Sequence, residues 1–244
     1  MSFWAFFKHA FGLSLAVCGA GTDAFLRSIA GKSSHAERAQ WLHRWCGFLL
    51  RRLSIEVQVR GEIPARGLIV SNHLSYLDIL VFSALAPCAF VSKKEVRGWP
   101  VFGFFAAIAG TIFVDRSRPQ LAQKTVEEMQ ETLRSGVRLV LFPEGTSTGG
   151  DQVLPFKPAL FESAVETQQT INAAHISYRL LKEDPAEVAC YWGEMTFAPH
   201  LLRLLAEPQI TAVIRFDGRA ESFADRKIAA EKLHQAVVLL ARAD

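Results

Sequence analysis

The chain is 244 residues long, room for one large α/β domain or for one domain with a helical appendage. Half of its residues are hydrophobic and the mean hydropathy is +0.17, yet no run reaches the about 18 uninterrupted apolar residues of a membrane span, so the composition suits a protein lying on a membrane. A net charge of +3 is too mild for the footprint of a nucleic-acid binder and suits an anionic membrane face or substrate, while Cys18, Cys46, Cys88 and Cys190 lack metal-ligand spacing and read as buried thiols of a reducing compartment.

Ser2 to Ala20 is rich in Phe, Trp, Leu and Ala, with Lys8 inside the apolar stretch, whereas a secretory signal carries its charge ahead of it. The segment reads first as an interfacial anchor helix, second as a short or re-entrant span, third as a cleaved signal. Gly19-Ala20-Gly21 is expected to break it. Ala36 to Leu53 starts a second helix, with Trp41, Leu42, Trp45, Phe48, Leu49 and Leu53 at helical spacing. The two helices read as a membrane-facing hairpin or as cover for a sheet. Residues 1–54 are therefore set apart as membrane-associating helices, and 55–244 as the α/β domain.

Ile55 to Val59 and Gly67 to Val70 read as strands on either side of a turn at Glu62-Ile63-Pro64. Ser71-Asn72-His73-Leu74-Ser75-Tyr76-Leu77-Asp78 follows, and Ile79 to Phe82 continues as a helix. His73 thus stands where a strand hands over to a helix, the edge of an α/β sheet at which ligands bind. Asp78 is close enough along the chain for its carboxylate to meet the imidazole. Such a pair makes a general base, one ring nitrogen held protonated and the other free to take a proton from a hydroxyl. The alternative is plain helix capping around Asn72 and Ser75.

Ala89 to Val91 is a further strand, ending at Ser92-Lys93-Lys94-Glu95. Gly98 to Val114 carries no charge, and its Trp99, Phe102, Phe104 and Phe105 suit either a channel for a fatty chain or ordinary core. It reads as a helix ending near Gly110, then a strand Thr111 to Val114 that delivers Asp115 and Arg116 to the same sheet edge. Arg116 there suits a phosphate held by paired hydrogen bonds, or a surface salt bridge.

Pro119 to Ser135 is an amphipathic helix and Arg138 to Phe142 the next strand, whose end carries Pro143-Glu144-Gly145-Thr146. Three strand ends then present a base, a cation and a carboxylate together. Gly145-Thr146-Ser147-Thr148-Gly149 also fits the G-x-S-x-G pattern of serine hydrolases. That elbow needs the serine directly between strand and helix, whereas Pro143 and Glu144 intervene here. The expected remainder is a helix Phe156 to Glu166, strands Ala174 to Tyr178 and Val188 to Trp192, a helix Pro199 to Leu205, a strand Gln209 to Phe216 and a helix Arg226 to Ala241.

On these motifs the chain resembles the PlsC-type 1-acylglycerol-3-phosphate acyltransferases of the glycerolipid acyltransferase family. His73 and Asp78 match its H-x4-D motif, Gly110 to Arg116 its second and Phe142 to Thr146 its third. The fourth is a departure, since Ile171 to Ser177 carry no proline. The resemblance covers roughly residues 60 to 215. It implies an α/β fold with a mixed, largely parallel sheet flanked by helices, and acyl transfer from acyl-CoA or acyl-carrier-protein to a lysolipid. Lysophosphatidic acid is the first expectation for the acceptor and lyso-ornithine lipid an alternative. It implies no cofactor and no metal. His73 would be the base and Asp78 its orienting partner, with substrate held by Arg116, Glu144, Gly145, Thr146, Gly110, Phe113 and Lys94. The oxyanion donors would be Asn72 or main-chain N–H groups near the helix start. The expected location is the cytoplasmic face of the cell inner membrane.

Overall fold

The computed structural model describes residues 2–31, 33–99, 101–115 and 122–243. Among them seven strands form one sheet in the order β1-β7-β6-β2-β5-β3-β4: β1 (Ile55–Arg60), β2 (Leu68–Ser71), β3 (Cys88–Lys93), β4 (Ile112–Val114), β5 (Arg138–Leu141), β6 (Ile171–Leu180) and β7 (Ile210–Glu221). Every neighbouring pair is parallel except β6 with β7. The largely parallel, mixed sheet expected from the motifs is present.

Parallel sheets are covered on both faces, so their strands read as continuous apolar runs. Strand β2 shows this, with Ile69 in one core layer and Leu68 and Val70 in the other. The first layer is closed by α2 (His35–Arg52), α3 (Leu77–Leu85) and α8 (Phe197–Leu205). The second is closed by α5 (Ala122–Arg134), α6 (Glu162–Glu166) and α9 (Arg226–Ala241).

Helix α1 runs unbroken from Phe3 to Ala30, through the Gly19-Ala20-Gly21 stretch expected to end it. Packing outweighs propensity here. A Cβ on Gly19 would lie 2.5 Å from the Trp45 ring, and one on Gly12 2.7 Å from Arg52 Cβ, so these glycines let α1 lie antiparallel and close against α2. The roughly 1 kcal/mol a helical glycine costs relative to alanine is offset by that contact and by Asp23, which accepts from Arg44 and from the Trp45 indole. Helix α2 starts at a capping box of Ser34 and Glu37.

Along its outer face α1 exposes Phe3, Trp4, Phe7, Phe11, Leu15, Phe25, Leu26 and Ile29. It is the one helix among the described residues long and apolar enough to cross a membrane.

Two further expectations are corrected. Val188 to Trp192 is not a strand: Asp184 caps and Pro185 opens α7 (Pro185–Val188), and the chain then runs as a loop whose Tyr191 N–H donates to Leu74 O at 2.8 Å. Val188, Ala189 and Cys190 are buried without pairing into the sheet, and Trp192 is exposed. Phe156 to Glu166 is helical only from Pro158, as a 3-10 turn leading into α6, because the proline holds Lys157 extended.

Candidate active site

Strands β2, β3, β4 and β5 are parallel neighbours, so their carboxyl ends share one edge. Beyond β2, the Asn72 carboxamide accepts the Ile176 N–H at 2.8 Å and donates to the Ile176 carbonyl at 2.9 Å. This side chain imitates a strand residue and prolongs the β2–β6 ladder to the point where His73 leaves it. Asn72 is therefore committed to β6, against the expectation that it donates to an oxyanion.

Residues 73–78 then wrap around one carboxylate. Asp78 Oδ2 accepts the Leu74 and Ser75 N–H groups at 2.7 and 3.0 Å and lies 2.7 Å from His73 Nδ1. A carboxylate only accepts, so in the neutral ring Nδ1 carries the proton and Nε2 is left bare. Asp78 is fully buried in the first turn of α3, where a negative charge is favoured. Its Oδ1 accepts the Tyr178 hydroxyl at 2.6 Å. The His73 ring stacks on Phe142 with centroids 4.3 Å apart and keeps 23 % of its side-chain surface exposed. The imidazole is thus clamped on one side and open on the other.

Glu144 is buried, its two oxygens accepting the His73 N–H at 2.8 Å and the Leu154 N–H at 2.9 Å. Burial pushes its carboxyl above the usual glutamate range, and the two main-chain bonds oppose that. Gly145, at φ 72°, turns the chain away from β5 in a conformation that other residues rarely adopt.

In front of His73 lies a cavity of about 250 Å³ lined by Tyr76, Lys93, Trp99, Val114, Gly145, Thr146, Ser147 and Tyr191, among others. Of the residues singled out in the sequence, His73, Gly145 and Thr146 meet there. Glu144 and Asp78 lie behind it. Lys94 opens the 3-10 turn after β3 and is paired with Asp115 at 2.8 Å, while Lys93, the last residue of β3, lines the cavity instead. Gly110 sits against Arg38 and Phe113 beneath the Arg97 guanidinium; neither lines the cavity. Arg116 lies outside the described residues. A larger open groove of about 680 Å³ between α1, α2 and α4 (Phe102–Ile108) does not include His73.

Ser147 donates to the Tyr191 carbonyl at 2.5 Å, and a loop follows it, so no nucleophile elbow forms. Burial pushes the Cys190 thiol up to about 12, which removes it as a thiolate. Among the described residues no group of three or more metal-ligating side chains comes together. Sequence reasoning missed Tyr178, whose only signal is its place in a buried strand. It also missed Lys93, which ends β3 directly before Lys94 and carries no sequence signal to set the two apart.

An imidazole buttressed by a buried carboxylate faces a mainly apolar cavity at the edge of an open α/β sheet, an arrangement that can take a proton from a hydroxyl. Residues 54–177 match the family described as Acyltransferase, and the chain belongs to it. It is 35 % identical over 197 residues to a lyso-ornithine lipid O-acyltransferase of Pseudomonas aeruginosa, covering 79 % of this chain and 76 % of that one. It is 37 % identical over 117 residues to a 1-acyl-sn-glycerol-3-phosphate acyltransferase of Neisseria gonorrhoeae, covering 48 % of this chain and 46 % of that one. The fold is that of the Thermotoga maritima acyltransferase PlsC, with a TM-score of 0.70 at 16 % identity over 98 % of this chain and 95 % of that one.

Proposed function

We propose that the protein moves a fatty acyl group from the thioester of acyl-CoA or acyl-carrier-protein to the hydroxyl of a lysolipid at a membrane surface. The observation that carries this is His73 Nε2, bare and opening on the cavity while Asp78 holds Nδ1–H. Nε2 takes the acceptor's hydroxyl proton as the oxygen attacks the thioester carbonyl. The tetrahedral intermediate collapses, the carbon–sulfur bond breaks, and the departing thiolate takes the proton from the imidazolium. No acyl-enzyme is needed. The Thr146 and Ser147 N–H groups, which have no partner among the described residues, are the donors available to the oxyanion. Lys93 is the cation for a phosphate or carboxylate of either substrate.

Lyso-ornithine lipid is the preferred acceptor because the likeness to an enzyme of that name spans 79 % of the chain. Lysophosphatidic acid is the second, on the shorter match. The exposed apolar stripe of α1 supports attachment to one membrane face.

The test is purified protein with labelled oleoyl-CoA and both lysolipids, wild type beside His73→Ala. Transfer to lyso-ornithine lipid, lowered about 100-fold or more in the variant, is the expected result. Transfer to lysophosphatidic acid alone keeps the mechanism and exchanges the acceptor. Thioester consumed without acylated lipid, or full turnover in His73→Ala, overturns the reading.

A further inference from the structure

The two oxygens of Asp78 have different surroundings. Oδ2 gathers three N–H donors, from the His73 ring and the Leu74 and Ser75 main chain. Oδ1 has one partner among the described residues, the Tyr178 hydroxyl at 2.6 Å. Both side chains are buried, so no bulk water substitutes for either. We propose that Tyr178 is a positioning residue of the His73–Asp78 base, fixing the Asp78 carboxylate and drawing off part of its charge. This rests on the acyl-transfer reading above.

The strand explains why this residue can serve. Asn72 clamps Ile176 at both its N–H and its carbonyl, and two residues further along β6 the side chain returns to the same face, roughly 6.6 Å away. Ile176 and Tyr178 accordingly share one core layer. The residue that sets the register of the His73 loop therefore also sets the reach of the hydroxyl to Asp78. Strand β6, where the expected proline is missing, is the scaffold for the base. Burial, with Asp78 beside it, pushes the phenol well above its usual range, so it stays a donor throughout the working pH.

A hydroxyl donated to Asp78 competes with His73 for the carboxylate's charge. Removing it concentrates that charge on the imidazole, and the pair then holds its proton to higher pH. The other titratable groups facing the pair are Glu144 from the loop after β5, Cys190 from the loop after α7, and Tyr76 at the start of α3. They are the same in wild type and variant, so a shifted profile reports the Tyr178 hydroxyl.

The experiment is Tyr178→Phe in the full chain, assayed with oleoyl-CoA and whichever lysolipid the wild type uses. Expected are a kcat lowered roughly tenfold, unchanged KM for both substrates, and an acid limb of kcat/KM moved to higher pH. Placed on Asp78→Asn, the same change should add little, because the hydroxyl acts through that carboxylate. Wild-type kcat with an unmoved limb overturns the inference, as does a loss that simply adds to that of Asp78→Asn. Should Tyr178→Phe not fold, 3-fluorotyrosine at position 178 keeps size and hydroxyl but donates more strongly, and the limb should move to lower pH; an unmoved limb overturns the inference. Nitrogen NMR of the His73 ring across pH gives a readout free of turnover, the doubly protonated ring persisting to higher pH in Tyr178→Phe than in wild type. Identical titration curves in the two overturn the role of Tyr178. A shifted curve with no transfer to any lysolipid leaves that role standing and removes the acyl-transfer reading.

Discussion

The Glu144 carboxylate accepts the main-chain N–H of His73 at 2.8 Å. Its second oxygen holds Leu154, so one buried side chain joins the ends of β2 and β5 to the loop that follows. Glu144→Gln replaces one acceptor with an amide, leaving a buried N–H without a partner. Stability should fall by about 1–3 kcal/mol, with kcat lowered and KM little changed. Denaturant unfolding beside steady-state kinetics checks both, and a variant of full stability and turnover would remove Glu144 from the support of His73.

The imidazole of His200 should make the fold acid-sensitive. Burial disfavours its protonation, the bond to Cys190 opposes that, and Arg203 adds to it. Its Nε2–H donates to the Cys190 carbonyl, and its Nδ1 accepts the Tyr76 hydroxyl, each at 2.9 Å. The folded chain thus binds this proton less readily than the unfolded chain, where histidine titrates near 6.5. Its contribution is fully present above that value and is lost as pH falls below it. Melts of wild type and His200→Asn between about pH 8 and pH 5 should converge on acidification; parallel curves would absolve His200.

Ser147 is placed as a structural hydroxyl. Ser147→Ala removes its bond to the Tyr191 carbonyl, which should cost about 0.5–1.5 kcal/mol and leave acyl transfer within a few-fold of wild type. A fluorophosphonate probe should label neither protein. Labelling that disappears in the variant, together with lost turnover, would restore the serine-hydrolase alternative.

Gly19 and Gly21 lie one turn apart or less in α1, yet they should respond in opposite directions. A Cβ on Gly21 meets nothing within 4 Å, so Gly21→Ala should stabilise by about 0.5–1 kcal/mol. A Cβ on Gly19 meets the Trp45 ring at 2.5 Å, so Gly19→Ala should destabilise despite alanine's better helix propensity. Melting temperatures of equal sign would show that α1 does not pack on α2 as closely as described.

Neighbouring lysines should separate as well. Lys93 lines the cavity, and Lys93→Gln should raise KM for the substrate whose anion it meets by roughly tenfold. Lys94 is half exposed and paired with Asp115, a kind of contact worth about 1 kcal/mol or less. Lys94→Gln should therefore keep near-normal kinetics. Kinetics with each substrate varied in turn decides between them.

Much of the site was legible because its motifs are short in sequence. His73 and Asp78 stand five positions apart, and the hydrogen bonds that join them are local. What escaped are contacts across long separations. Tyr178 reaches Asp78 from a strand 100 positions away, and Ile176 holds Asn72 over 104. The residue types at 72 and 144 suggested donors or ligands for substrate, but burial turned both toward main chain.

The sequence alone determined most of the alternation of strands and helices, the pairing of His73 with Asp78, and the shared edge of their strands, because apolar periodicity and strand-end motifs are local properties of the chain. It did not determine whether α1 would break at Gly19, whether residues 188–192 would pair into the sheet, or which of Lys93 and Lys94 would face the cavity. Those were decided by the tertiary structure, since each depends on what lies opposite: the Trp45 ring for Gly19, the Leu74 carbonyl for Tyr191, and Asp115 for Lys94. A residue's neighbours along the chain set what it can do, and its neighbours across the fold decide which of those things it does.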